Sequence, residues 1–212
     1  MSSSSFANLL LHHGFESRVF YWIMDQRDIP NLITLLRMFL VLPIVWLLAN
    51  DYFMESLYLF AFAGMSDGLD GFLAKRMGWQ SRLGSILDPL ADKMLLVSTT
   101  IMLAWVGLIP LWLVGVIVLR DLLIVVGGTL YHYRIAAYDM TPSIVSKINT
   151  FTQISYVLGV IMVEAVGWSV AAEMEVVTYV VLTTTLLSGA DYVWTWGWLA
   201  YRAPRSTKEG TQ

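Results

Sequence analysis

Asp67, Gly68, Leu69, Asp70, Gly71, Phe72, Leu73, Ala74, Lys75, Arg76, followed after a short gap by Gly84, Ser85, Ile86, Leu87, Asp88, Pro89, Leu90, Ala91, Asp92, Lys93, is the stretch on which the reading of this chain turns. Four aspartates fall within 26 positions. A separation of three places Asp67 and Asp70 on one face of a helix, and a separation of four does the same for Asp88 and Asp92. The residues before Asp67 and after Lys93 are apolar for many positions, so both pairs sit at the ends of hydrophobic helices joined by a short link. Such helices are antiparallel neighbours, and the two carboxylate pairs can face each other.

The rest of the chain says what surrounds those helices. Of 212 residues 57% are hydrophobic and 14% charged, with a mean hydropathy of +0.65. A water-soluble globule of this length cannot hide so much apolar surface. A spanning helix needs roughly 20 mostly apolar residues. Six such stretches are present, at about 31–49, 54–76, 85–106, 110–133, 147–168 and 174–200. The expected fold is therefore all-α, a polytopic membrane protein with six transmembrane helices.

Orientation follows from the basic residues, which collect on cytoplasmic ends. Arg18 and Arg27, then Lys75, Arg76 and Arg82, then Arg134 and Lys147, and finally Arg202, Arg205 and Lys208 all fall on one side of a six-pass chain. The opposite links, Asn50 to Glu55, Val106 to Ile109 and Glu164 to Glu175, contain no Lys or Arg. Both termini and the aspartates are expected on the cytoplasmic side. Residues 1–30 are read as an N-terminal segment with an amphipathic interfacial helix, carried by Phe15, Val19, Phe20, Trp22 and Ile23 at helical spacing. Residues 31–200 form the six-helix domain and 201–212 a polar tail. The start of the chain resembles neither a signal nor a transit peptide, which fits a bacterial inner membrane better than an imported protein.

Composition excludes several classes. A net charge of −3 gives no cationic field for nucleic acid. The absence of Cys removes disulfides, thiolate metal sites and thiol nucleophiles. Four carboxylates at membrane depth repel unless a positive charge sits among them. Divalent cations supply it, and hard oxygen ligands without His or Cys point to Mg²⁺ or Mn²⁺, as two ions able to clamp a diphosphate. Gly68, Gly71 and Gly84, with Ala74, leave room for a nucleotide on the same face. Three further cations, Arg37, Lys93 and Arg120, interrupt apolar helices. For the first two, snorkelling to the interface competes with a functional role, and for Arg120 an internal pair with Asp121 competes with one.

From Asp67 to Asp92 the spacing resembles the signature of the CDP-alcohol phosphatidyltransferase family: Asp, two residues, Asp-Gly, two residues, Ala-Arg, eight residues, Gly, three residues, Asp, three residues, Asp. One position departs, since Lys75 stands where the family carries Arg and offers a point charge without the planar fork. The resemblance implies transfer of a phosphatidyl group from CDP-diacylglycerol to an alcohol, with CMP leaving. It further implies that Asp67, Asp70 and Asp88 help bind a pair of metal ions, that Asp92 at the edge of that metal site is the general base, and that Asp67, Asp70, Gly71, Ala74, Lys75 and Gly84 surround the cytidine nucleotide.

Two more segments resemble particular branches. Ile29-Pro30-Asn31-Leu32-Ile33-Thr34-Leu35-Leu36-Arg37 is similar to both the glycerol-phosphate and the cardiolipin-forming branches. Gly107 to Pro110, Arg120-Asp121 and Pro142 to Thr150 with Gln153 are closer to the cardiolipin-forming one, because Ser146-Lys147 and Asn149 replace a more basic pattern. Phosphatidylglycerol is therefore the expected acceptor and glycerol 3-phosphate the alternative, with Arg120 and Lys147 as candidate ligands of the acceptor's phosphate. Asn149 and Thr150 are read first as helix-packing groups. Gly127 and Gly128 would permit close helix packing in a homodimer. From another class, a divalent-cation transporter would spread its carboxylates over several depths.

Overall fold

A computed structural model describes residues 29–77, 84–134 and 143–202, and every element among them is an α-helix. In chain order these are α1 (Ile29–Ala49), α2 (Phe53–Met77), α3 (Gly84–Trp105), α4 (Leu111–Arg134), α5 (Ile144–Val166) and α6 (Ala171–Arg202). They coincide with the six apolar stretches to within a few residues. The expected interfacial helix of residues 1–30, apart from its last two positions, and most of the polar tail lie outside the described residues.

Local chemistry sets the helix ends. Ser143 caps α5 with φ −63° and ψ 158°, its side chain accepting the Ser146 amide. At the other end Gly167 takes the left-handed conformation, φ 72°, and its N–H returns to the carbonyls of Glu164 and Val163. Gly107 does the same after α3, at φ 84°, where an L side chain would be strained.

Which side chains face outward shows what the solvent is. Along α1, Leu35, Leu36, Phe39 and Leu42 are exposed, while Thr34 and Arg37 are buried at 0% and 1% exposure. Along α4, Leu119, Leu122, Leu123, Val125 and Val126 are exposed and Arg120 is buried. On α5, Ile148, Phe151 and Ile154 face out, with Asn149 and Gln153 inside. In water this partition would be reversed. A hydrocarbon solvent imposes it, because polar groups must then find partners within the bundle. Among the described residues three segments are long and apolar enough to cross a bilayer: Leu32–Ala49, Ile144–Val166 and Ala172–Thr195. In α2 and α3 aspartates interrupt the apolar run.

The chain divides into two compact units. The first takes in Met1–Leu42 and Ala61–Leu95, and so holds the early part of α1, the later part of α2 and the early part of α3. The second takes in Pro43–Phe60 and Leu96–Gln212. In α1 the division falls at Pro43, whose ring removes a helix hydrogen bond. Within the second unit, α6 packs against both α4 and α5.

Candidate active site

The first unit contains the carboxylates. Thr34 and Arg37 lie three residues apart on one face of α1, and Asp88 and Asp92 four apart on one face of α3. The two faces meet in register: the Thr34 hydroxyl donates to Asp88 Oδ1, and Arg37 Nη1 donates to Asp92 Oδ1 at 2.6 Å. The same Nη1 lies 2.7 Å from Asp67 Oδ1 on α2. One buried guanidinium nitrogen thus joins carboxylates from two helices, while the carboxylates stay accessible, Asp67 at 42% and Asp92 at 48% exposure.

This arrangement answers the question that Arg37 posed. It does not snorkel to the interface; it is enclosed, because a guanidinium inside an apolar helix is best compensated by the acids facing it. Of the four aspartates, Asp67 and Asp92 are brought together through this cation, and Asp88 lies on the same face of α3 as Asp92. Among the described residues no three acidic or His groups converge by themselves as a metal-binding set. The side chains of Asp70, Gly71, Ala74, Lys75 and Gly84 lie outside the described ones; their backbones belong to α2 and to the first turn of α3. Beside Gly68 a Cβ would meet nothing, so that part of the α2 face is open.

A second polar cluster lies in the other unit. Arg120 is 4% exposed, and four of its hydrogen-bonding opportunities are taken up. Nη1 donates to Asp121 at 2.8 Å, Nη2 to Ser146 at 2.6 Å and also to Ser188, and Nε to Ser188 at 3.2 Å. The Tyr192 ring lies 5.9 Å from the guanidinium carbon, within cation–π range. The Ser143 cap puts Ser146 in the first turn of α5, which is how a short polar side chain reaches the arginine. Further along, Asn149 Oδ1 accepts from Thr184 at 3.2 Å and Thr185 at 2.9 Å, the packing role expected of it. Lys147, one position beyond Ser146, is exposed.

Sequence reasoning singled out Arg37 and Arg120 but missed Thr34, Ser188 and Tyr192. For Thr34 a signal existed, since a hydroxyl three residues before an arginine is the second polar group on that face of α1. Ser188 had no such marker, as serine is common in membrane helices.

The structure is thus a helical protein of membrane character in which aspartates from two helices gather around a buried guanidinium. The chain belongs to the CDP-alcohol phosphatidyltransferase family, whose model matches residues 27–190. It is 33% identical over 184 residues to CDP-diacylglycerol–glycerol-3-phosphate 3-phosphatidyltransferase 1, chloroplastic, of Oryza sativa, covering 78% of this chain and 56% of that protein. To a probable cardiolipin synthase (CMP-forming) of Drosophila melanogaster it is 35% identical over 153 residues, 63% of this chain and 48% of the relative. The CDP-diacylglycerol–glycerol-3-phosphate 3-phosphatidyltransferase of Aquifex aeolicus is 31% identical over 173 residues, 78% of this chain and 93% of that protein. The chain thus spans about half the length of the first two and nearly all of the third.

Proposed function

We propose that this protein transfers a phosphatidyl group from CDP-diacylglycerol to the hydroxyl of phosphatidylglycerol, forming cardiolipin and releasing CMP. The single observation that carries the reading is the meeting of Asp67 and Asp92, from separate helices, on Arg37 Nη1 at 2.7 and 2.6 Å. It supports the reading by showing a positive charge seated between these carboxylates, in an all-oxygen donor set suited to hard cations. Asp67, Asp70 and Asp88, with Asp92 at the edge, would hold two ions of Mg²⁺ or Mn²⁺, whose charge would offset that of the substrate diphosphate.

The chain's own groups divide the remaining work. Asp92 takes the proton from the acceptor hydroxyl as that oxygen attacks the phosphorus bearing the diacylglycerol. The bond from this phosphorus to the bridging oxygen breaks, and CMP leaves with the oxygen and its electron pair. Arg37, donating to Asp92 Oδ1, holds that carboxylate turned to a fixed angle. Thr34 does the same for Asp88. The open face beside Gly68, with Gly71, Ala74, Lys75 and Gly84, is assigned to the cytidine nucleotide. Lys147, exposed, is assigned to the acceptor's phosphate together with the one Arg120 N–H that its neighbours leave over.

Six passes, with both ends and the aspartates on the cytoplasmic side of a bacterial inner membrane, complete the reading. It is supported by the six helices and by the one-sided Lys and Arg. A second acceptor is favoured by a specific comparison, since the Aquifex aeolicus relative, which the chain covers almost throughout, is named for glycerol 3-phosphate. Purified protein given labelled CDP-diacylglycerol and each acceptor separately decides between them. CMP release with phosphatidylglycerol is expected; release with glycerol 3-phosphate alone would transfer the assignment to that substrate.

A further inference from the structure

We infer that the second unit carries a binding site for an alkylammonium cation, separate from the phosphatidyl-transfer chemistry. A cavity of about 630 Å³ opens among the α3–α4 link, the end of α5 and the start of α6, within the usual size for a small-ligand site. Its wall includes Trp112, Trp168, Tyr156 and Thr178, together with the carboxylates Glu164 and Glu175. No Lys, Arg or His lines it, and the links that form its mouth, Val106 to Ile109 and Glu164 to Glu175, contain none.

The hydrogen bonds at its floor have a definite direction. Thr178 spends its only hydroxyl hydrogen on the Met174 carbonyl, at 2.8 Å. The 2.8 Å bond between Tyr156 and Thr178 must then run from the tyrosine O–H to the threonine oxygen. Tyr156 is 3% exposed, and its oxygen is left with lone pairs only. A buried acceptor, two carboxylates and two indole rings together form an electronegative, partly apolar cup.

Helix-end chemistry builds that cup. The left-handed turn at Gly167 carries the chain from Glu164 back over the end of α5, with the Trp168 amide donating to the Val163 carbonyl at 3.0 Å. This places Trp168, four residues beyond Glu164, on the cavity wall with it. The combination selects the ligand class. A divalent metal ion wants several oxygen ligands, and among the described residues no three acidic or His groups come together. An alkylammonium is larger and weakly hydrated, is attracted to ring faces, and gains from carboxylates nearby. In a bilayer it arrives either as a lipid headgroup or as a free ion, and the chemistry recognised is the same.

The test uses the full chain in nanodiscs of phosphatidylglycerol, a lipid without an amine. Tetramethylammonium chloride is added against NaCl at constant ionic strength while tryptophan fluorescence is followed. A saturable change is expected. Replacing both acids, Glu164→Gln with Glu175→Gln, should weaken it about tenfold, and Trp168→Leu should remove most of the signal. CMP release and helical circular dichroism should be unaltered, since none of these residues belongs to the transfer site. Saturation by short-chain phosphatidylcholine at lower concentration than by tetramethylammonium would identify a headgroup, and the reverse order a free ion; both support the site. A linear response, an identical response in the double variant, or saturation by Ca²⁺ in place of tetramethylammonium would overturn it.

Discussion

Arg37 and Asp92 meet at 2.6 Å, Nη1 to Oδ1, with the arginine buried to 1% exposure and the aspartate 48% exposed. The pair therefore has a closed side and an open side. From the closed side a fixed charge orients the carboxylate, and from the open side a substrate hydroxyl can approach it. That asymmetry is what the proposed role of Asp92 as base requires, since a purely structural ion pair would enclose both partners.

It follows that charge and geometry at position 37 can be separated. Arg37→Lys keeps a cation able to bridge two acids but loses the planar fork, so turnover should fall by no more than about tenfold. Arg37→Gln removes the charge and leaves Asp67 and Asp92 facing each other, and CMP release should drop about a hundredfold or more. Parallel Mn²⁺ titrations by electron paramagnetic resonance show whether the carboxylate site itself has been disturbed.

Asp92→Asn should abolish turnover with little change in fold. An amide oxygen can still accept from Arg37 but cannot take a proton, and losing a general base costs about 10² to 10⁴ in rate. Circular dichroism and retained CDP-lipid binding should match the wild type. Asp67→Asn should behave differently, raising the metal concentration needed for half-maximal rate. Equal behaviour of the two variants would count against the division of roles.

Much of this was legible in the sequence because the bilayer simplifies the problem. Each helix is announced by its own apolar length, and an ionised group within it must have a reason. Hence the six helices, the shared face of Asp88 and Asp92, and the pairing of Arg120 with Asp121 could be anticipated. Pair identities were not legible. Whether Arg37 turns outward to the interface or inward to Asp67 depends on how α1 is rotated against α2 and α3, and periodicity within one helix carries no information about its neighbour. The same holds for Ser188, which becomes meaningful only once α6 lies against Arg120. Sequence spacing could nominate Asp121 as a partner because it is adjacent; it could not nominate a serine 68 positions away.

Removal of divalent metal with EDTA should stop CMP release completely, and Mg²⁺ or Mn²⁺ should restore it. Zn²⁺ should not, since the site offers neither His nor Cys. Activity that survives exhaustive chelation would oblige Arg37 alone to neutralise the diphosphate, contrary to the reading above.

Lys147→Ala should raise the KM for the acceptor about tenfold and leave kcat nearly unchanged, as expected when a group binds ground state and transition state alike. The wild-type KM should also climb with ionic strength, because an exposed lysine is screened. A fall in kcat without a change in KM would place Lys147 outside acceptor binding.

Arg120 should register in stability more than in turnover. Its guanidinium is enclosed by Asp121, Ser146 and Ser188, and one of those partners, Asp121, is itself only 12% exposed. Arg120→Ala would leave that carboxylate without its cation and two hydroxyls without their donor, a loss of about 3 kcal/mol or more. Ser188→Ala removes one acceptor while Ser146 and Asp121 remain, and should cost about 1 kcal/mol. If α6 is tied to α4 through this contact, the double variant will be destabilised by less than the two single losses together, since the second substitution removes a bond already broken. Unfolding of the three variants in detergent micelles, followed by circular dichroism, measures the coupling. Strict additivity would mean that Arg120 and Ser188 act independently, and the polar contact between α4 and α6 would then contribute nothing specific to the packing of those helices.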